Sequence, residues 1–497
     1  MLSVNNLTNN LDVAFGTSGV RGLVKDLTPA ICFAFVKAFL QVNTSQSKRI
    51  ALGIDLRPSS FSMAKSCIAA INAHGCEVVY CGELPTPALA FYAMSNNIPC
   101  IMITGSHIPF SRNGMKFYNT DGEISKLDEI NIINAEVELP ENLDEIVSNI
   151  QIPIVNSAAL EAFRQRYTEL FPVDMLKGKR IGIYEHSSVA RDVLIDLMSY
   201  FGADVVSLER TDYFVPIDTE AVSAIDKEKA KDWAKKYKLD AIISTDGDGD
   251  RPLISDENGQ WLRGDVLGVL CVNYVGATHV AAPTNVNSML EASSGQLMCS
   301  RTRIGSPYVI AAMQDLANEP SASNKNPRLL NKASKIVGYE ANGGFMVGSD
   351  IELNGKTLHA LPTRDAVLPI LIVLSLAHQS SSPISDLLKA LPSRFTASAC
   401  IKEVLKRVSD KITNSLEFDQ VKQDEFLFAV YADKAVKINA INKTDGLRLI
   451  ISNKDIIHIR PSGNAPELRV YTETSIMDKS EGLVELVIAA LEKYYIL

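Results

Sequence analysis

Cysteine is sparse in this sequence. Cys32, Cys67, Cys76, Cys81, Cys100, Cys271, Cys299 and Cys400 are scattered through 497 residues. That density excludes a disulfide-stapled scaffold. Several of the eight sit in strand-like apolar runs, so they read as buried free thiols in a reducing compartment. Cys76 and Cys81 have no second nearby pair, which excludes a four-ligand structural zinc site. Long apolar runs are also missing: stretches such as 365–377 are short or interrupted, and none is long enough to span a bilayer. The opening MLSVNNLTNNLDVAFG lacks a basic stretch followed by an apolar one, so no signal peptide is indicated and the expected location is cytoplasmic. Positive charge is in deficit, with 49 Lys and Arg against 58 Asp and Glu and a net charge of -9 spread along the chain. Nucleic acid as a partner requires a basic footprint that is absent. An anionic ligand would therefore have to be held by a local cluster of cations.

What is present is ordinary globular composition, 46% hydrophobic and 22% charged. The chain is too long for a single core. A strand–loop–helix–strand pattern occurs three times. KRIALGIDLRPSS leads into SMAKSCIAAINAHG and CEVVYCG; KRIGIYEHSSVA into RDVLIDLMSYFG and ADVVSLE; HVAAPTNVNS into MLEASSG and QLMCSRT. The helical stretches stop at Gly75, Gly202 and Gly295, since glycine enters the left-handed region cheaply. Crossovers of this kind place helices on the faces of mainly parallel sheets. The last hundred residues instead carry short strand signals with hairpin turns at Lys443–Gly446 and Asn453–Asp455, then a closing helix. The expected fold class is α/β, with three similar mixed or parallel-sheet domains at 1–152, 153–262 and 263–385. A smaller α+β domain with an antiparallel sheet follows at 386–497, and the four are expected around a central cleft.

Four loops hold groups suited to chemistry. The strand PCIMIT runs into Gly105, Ser106, His107, Ile108 and Pro109, with Lys116 ten residues past the serine. After the strand DAIIS, Asp246, Asp248 and Asp250 alternate and are followed by Arg251. Three carboxylates this close repel unless a cation neutralises them, and magnesium combines a few carboxylates with phosphate oxygens. The calcium-loop reading fails because the spacing continues into Arg251-Pro252. VGYEANGG places Glu340 and Asn342 between glycines, suited to sugar hydroxyls. IRPSGNAPELRVY gathers Arg460, Ser462, Gly463, Asn464 and Arg469, and arginine supplies the planar donors phosphate prefers. A fifth piece, AFGTSGVRG, offers Arg21. Each alone is compatible with an ordinary turn. Together they supply a serine, a metal loop, a sugar loop and a phosphate loop, one in each of four successive domains.

The order of these loops resembles the α-D-phosphohexomutase family, which includes phosphoglucomutases, phosphomannomutases and phosphoglucosamine mutases. The resemblance extends over nearly the whole chain, and the acidic loop running into Arg-Pro and the RPSG…P-x-L-R pattern carry it most specifically. It implies that Ser106 carries the phosphoryl group and that Ser106, Asp246, Asp248 and Asp250 are metal ligands for Mg²⁺. Lys116 matches the general acid/base, given burial or positive neighbours that lower its pKa. His107 and Arg21 match active-site neighbours of the serine, and Arg251 a contact beside the metal loop. The implied ligand is a small-molecule sugar phosphate, with a hexose 1,6-bisphosphate as activator and intermediate. This sequence departs from the family at Ile108, where asparagine is usual, at Asn342 and Gly344 in the sugar loop, and at Asn464-Ala465, where Thr-Glu is frequent. The expected reaction interconverts mannose 1-phosphate and mannose 6-phosphate. Glucose phosphate comes next, then glucosamine phosphate. A metal-dependent phosphatase and a non-catalytic sugar-phosphate binder are the readings outside the class. Neither a membrane nor a nucleic acid is expected as partner, and oligomeric state is left open.

Overall fold

The computed structural model describes residues 2–16, 19–293, 297–318, 334–462 and 467–493. The chain divides into two compact units, residues 1–280 with 305–388, and residues 281–304 with 389–497. The architecture is of mixed α/β sheets, with a separate antiparallel sheet near the C-terminus.

In the first unit, a seven-stranded sheet runs in the order Val13–Phe15, Val20–Leu23, Arg112–Asn119, Cys100–Ile103, Arg49–Ile54 and Glu77–Glu83. Gly122–Glu123 pairs off to the side. Arg49–Ile54 lies parallel to both neighbours, whereas Arg112–Asn119 is antiparallel to Cys100–Ile103. That one reversal is what places Lys116 opposite Met102, on the strand adjoining the one that delivers Ser106. Residues of Arg49–Ile54 and Cys100–Ile103 are almost wholly buried because helices cover both sheet faces, which explains their continuous apolar character. Helix Pro29–Val42 is capped by Thr28, whose side chain accepts from the Ile31 amide, with proline in the first turn. Helix Ser60–Ala73 ends with Gly75 at φ +75° and helix Arg191–Tyr200 with Gly202 at φ +88°, matching the predicted stops. Gly295 lies outside the described residues.

A four-stranded sheet holds Asp204–Arg210, Arg180–His186 and Ala241–Thr245 in parallel, with Pro252–Ile254 antiparallel at its edge. The acidic loop is the connection between the last two. Ile336–Tyr339, Phe345–Val347 and Leu361–Asp365 form antiparallel pairs, so the sugar loop is a hairpin turn. Helix Gly264–Val275 packs directly beneath it: a Cβ on Gly264 would lie 2.1 Å from the Gly343 nitrogen, so only glycine permits this approach.

In the second unit the order is Phe395–Lys402, Glu467–Thr474, Ile456–Pro461, Leu447–Ile451 and Ile438–Asn442, every pair antiparallel. Both predicted hairpin turns are there, and helix Met477–Leu491 closes the chain with Leu483, Val487 and Leu491 in the core. All eight cysteines are free. Five are buried, as thiols in apolar runs are expected to be; Cys76 and Cys299 are half-buried, and Cys400 is exposed because it lies on the edge strand Phe395–Lys402.

His458 is expected to make this unit sensitive to acid. Its Nε2 donates to the Asp445 carbonyl at 2.6 Å, while Nδ1 is buried with no acceptor, so a second proton has nowhere to bond. Burial lowers its pKa to about 4. An unfolded imidazole takes its proton near pH 6.5, so the unfolded state binds more protons between about pH 6.5 and 4. Stability is therefore expected to fall as pH falls through that window, by up to roughly 3 kcal/mol from this group. Urea unfolding of the wild type and of His458→Phe at pH 7 and pH 5 checks this. The Phe variant should show the shallower pH dependence, and equal slopes would refute the assignment.

Candidate active site

Ser106 stands on the loop that leaves strand Cys100–Ile103. Its amide donates to Thr104 Oγ1 at 2.8 Å, and its backbone takes φ +53°, a left-handed conformation for a side-chain-bearing residue. From there Oγ donates to Asp246 Oδ2 at 2.6 Å, across 140 residues of sequence. The acidic loop comes to this point because its own backbone is tied down. The Asp250 and Arg251 amides donate to Asp246 Oδ1, each at 3.2 Å, and the loop turns at Gly249 with φ +72°. Thr86 fixes it from the side, donating from Oγ1 to Asp248 Oδ2 at 2.6 Å and from its amide to the Asp248 carbonyl at 2.9 Å.

Asp246, Asp248 and Asp250 are fully buried, and one ligand oxygen from each lies within 4.8 Å of the others. Such a cluster needs cations, and the structure supplies three. Lys116 Nζ donates to Asp248 Oδ2 at 2.7 Å and Asp250 Oδ2 at 2.6 Å. Arg364 donates to Asp250 Oδ2 through Nη2 at 2.8 Å and Nε at 3.1 Å. Arg251 Nε lies 3.7 Å from Asp250 Oδ1 and 3.9 Å from Asp246 Oδ2. Burial pushes all three carboxyls up. At Asp250 the field of Arg364 and Lys116 wins, and at Asp248 that of Lys116, so both are held below the ordinary range. Asp246, faced by the other two carboxylates, is pushed well above it. Asp248 Oδ1 and Asp250 Oδ1 remain buried with no hydrogen-bond donor. Hard carboxylate oxygens left without donors, beside a serine hydroxyl, fit a divalent cation of the magnesium kind.

Lys116 behaves opposite to the sequence expectation. Burial alone would lower its pKa, but Asp248 and Asp250 outweigh burial and raise it, so the ammonium is held protonated. His107 is neutral: burial, followed by the charges of Arg251 and Arg21, lowers its pKa to about 2. Arg251 Nη1 lies 2.8 Å from His107 Nδ1, and since guanidinium only donates, Nδ1 is an acceptor and the ring proton is on Nε2. Arg21 faces Gly114 across the sheet. Burial and the neighbouring Arg251 and Arg364 bring its pKa down to about 10.

Glu340 and Asn342 lie on the hairpin turn, closed by Gly343 N donating to the Glu340 carbonyl at 3.0 Å. Glu340 Oε2 accepts from Arg364 Nη1 at 3.1 Å, and Asn342 Oδ1 accepts from the Gly344 amide at 3.0 Å. The Asn342 side-chain oxygen thus serves its own turn, and Thr219 Oγ1 ties the Asn342 carbonyl at 2.8 Å. In the second unit, Arg460 and Arg469 are directly opposite in the ladder and so share a face. Arg460 Nε is 2.8 Å from Asp445 Oδ2, and the Ser462 amide donates to the Glu467 carbonyl at 2.8 Å. Gly463 and Asn464 lie outside the described residues.

Three functional neighbours escaped the sequence reading: Arg57, Thr86 and Arg364. The available signal for two of them was an arginine three residues past a buried strand, in IDLRPSS, and one within a buried strand, in LPTRDA.

Family models match most of the chain. Phosphoglucomutase/phosphomannomutase alpha/beta/alpha domain I covers residues 12–143, domain III residues 263–395 and the C-terminal domain residues 403–489. The chain belongs to the α-D-phosphohexomutase family. It is accordingly an enzyme of the isomerase and phosphotransferase kind. Among α-D-phosphohexomutases, a phosphomannomutase of Salmonella muenchen is 46% identical over 97% of this chain and 96% of its own length. One of Sinorhizobium fredii is 40% identical over 96% and 98%. The fold is also that of parafusin, a phosphoglucomutase of Paramecium, with a TM-score of 0.71, 16% identity and coverage of 97% and 95%.

Proposed function

We propose that this enzyme is a phosphomannomutase, interconverting mannose 1-phosphate and mannose 6-phosphate through a phosphorylated Ser106 and a bound 1,6-bisphosphate. The observation that carries the chemistry is Ser106 Oγ held 2.6 Å from Asp246 in a buried carboxylate triad. Mannose is favoured over glucose by the two relatives at 46% and 40% identity, each a phosphomannomutase over nearly its full length.

Mg²⁺ bound by Asp246, Asp248, Asp250 and the serine oxygen would supply charge neutralisation for a transferring phosphoryl group. The chain's own groups then divide the work. Ser106 is the acceptor and donor of the phosphoryl group. Lys116, kept protonated by Asp248 and Asp250, is in the form that gives a proton to an oxygen, and acts as the acid/base once those carboxylates are drawn to the cation. His107, neutral and bonded through Nδ1, orients Arg251. Glu340, aligned by Arg364, binds sugar hydroxyls together with Asn342. Arg460, Ser462, Gly463, Asn464 and Arg469 bind a phosphate that does not react, and binding at a remote phosphate can be spent on orienting the reacting end.

The decisive assay converts mannose 1-phosphate, glucose 1-phosphate and glucosamine 1-phosphate to their 6-phosphates, with Mg²⁺ and a trace of the matching 1,6-bisphosphate. Inorganic phosphate is followed in parallel. Preference for mannose supports the reading, preference for another sugar moves the substrate, and net phosphate release replaces the mutase by a phosphatase. Arg460→Ala is expected to raise KM for the sugar phosphate by roughly 10- to 100-fold, since a charge-assisted bond to phosphate is worth about 1.5–3 kcal/mol. Its thermal midpoint should stay close to wild type, and an unaltered KM would move the phosphate contact elsewhere.

A further inference from the structure

Ser106 sits in a backbone conformation that side-chain-bearing residues hold only when their surroundings impose it. Arg57, on the loop after strand Arg49–Ile54, is what surrounds it. Its Nη2 donates to the carbonyls of Ser106 at 2.8 Å and Ile108 at 2.5 Å, and its Nη1 to those of Pro109 at 2.9 Å and Arg112 at 2.8 Å. Behind it, Asp55 Oδ2 lies 3.3 Å from Nε, with both side chains fully buried. Asp55 is itself fixed, its Oδ1 accepting from Ser60 Oγ at 2.6 Å and from the Arg57 amide at 3.0 Å. The Phe214 ring covers the guanidinium, with Cζ 3.9 Å from the ring centre. The loop is shaped to this arginine: a Cβ on Gly105 would meet Arg57 Cζ at 2.5 Å, so glycine must precede the serine. Four carbonyls around one planar fork is an arrangement only arginine can satisfy.

We propose that Arg57 is a positioning residue for phosphoryl transfer, holding the 105–112 loop so that Ser106 Oγ stays against the aspartate triad. The inference rests on Ser106 being the phosphoryl carrier. Lysine at 57 would keep the charge beside Asp55, but its donors radiate from one atom and cannot span the four carbonyls. Arg57→Lys and Arg57→Ala in the full chain are therefore compared with wild type. In both, kcat is expected to drop roughly 100-fold, the scale of an ångström-level misplacement, with KM for mannose 1-phosphate changed by less than about 2-fold. Phosphorylation of Ser106 by mannose 1,6-bisphosphate, followed by mass spectrometry, should slow by the same factor. Trypsin cleavage after Arg112 in the native protein should quicken about 10-fold, because that loop loses its anchor.

A Lys variant with wild-type kcat and wild-type cleavage overturns the proposal. So does a kcat loss matched by an equal rise in KM. Should Arg57→Ala fail to fold, the Lys variant alone decides. A wild type that takes no phosphate on Ser106 defeats the carrier reading instead. In that case unchanged cleavage after Arg112 would still refute Arg57 as the anchor, and quickened cleavage would still support it.

Discussion

Ser106→Ala is expected to lower mutase turnover by roughly 10⁴-fold or more, the usual scale for removing a covalent nucleophile. The effect should fall on chemistry alone. Alanine is expected to hold the left-handed backbone seen at Ser106, because the Arg57 bonds that fix the loop carbonyls do not involve the hydroxyl. Asp246 loses one short donor but keeps the Asp250 and Arg251 amides. The stability change is accordingly expected within about 1 kcal/mol, the net worth of one hydrogen bond. Incubation with a 1,6-bisphosphate should add one phosphoryl group to the wild type and none to the variant, by intact mass. Turnover by the Ala variant within about 10-fold of wild type would rule out the phosphoserine route. So would undiminished labelling elsewhere in the chain.

What was legible in the sequence follows from how far apart the partners lie along it. Ser106 with His107, and Asp246 with Asp248 and Asp250, are contiguous loops leaving apolar strands, so local pattern alone exposed them. Their meeting was implied only by the family resemblance, because the Ser106–Asp246 bond spans 140 residues. Arg57 grips carbonyls 49 to 55 residues away, Thr86 reaches Asp248 across 162, and Arg364 reaches Asp250 across 114. No periodicity or spacing marks such contacts. The direction of the Lys116 shift failed for the same reason: the two aspartates that raise its pKa lie 132 and 134 residues downstream. The α/β units and the C-terminal meander were legible because each is a local alternation of strand, turn and helix. The reversed strands Arg112–Asn119 and Pro252–Ile254 were not, since direction within a sheet is a tertiary property.

Arg364 is where the cost of such a hidden contact should be largest. Among the described residues it is the bulkiest fully buried side chain, and its guanidinium binds Asp250 through two nitrogens and Glu340 through a third, with Ser306 Oγ 3.2 Å from the same Nη1. Its ionisation is secure: burial opposes the charge, but Asp250 and Glu340 outweigh it and hold the pKa well above the ordinary arginine value. Removing one partner of a buried pair costs far more than the pair contributes, because the remaining charges stay desolvated. Arg364→Ala takes the guanidinium from Glu340 and leaves Asp250 to Lys116 and the more distant Arg251. An unfolding free energy reduced by about 3–5 kcal/mol is expected, read by urea denaturation. Arg364→Lys, which keeps charge but cannot fork between Asp250 and Glu340, should fall between the two. Because the same guanidinium aligns Glu340, the Lys variant should also raise KM for the sugar phosphate at temperatures where it is fully folded. Loss of stability without a KM change would confine Arg364 to the fold. An Ala variant within about 1 kcal/mol of wild type would show instead that water or protonation relieves Asp250 and Glu340 once the arginine is gone.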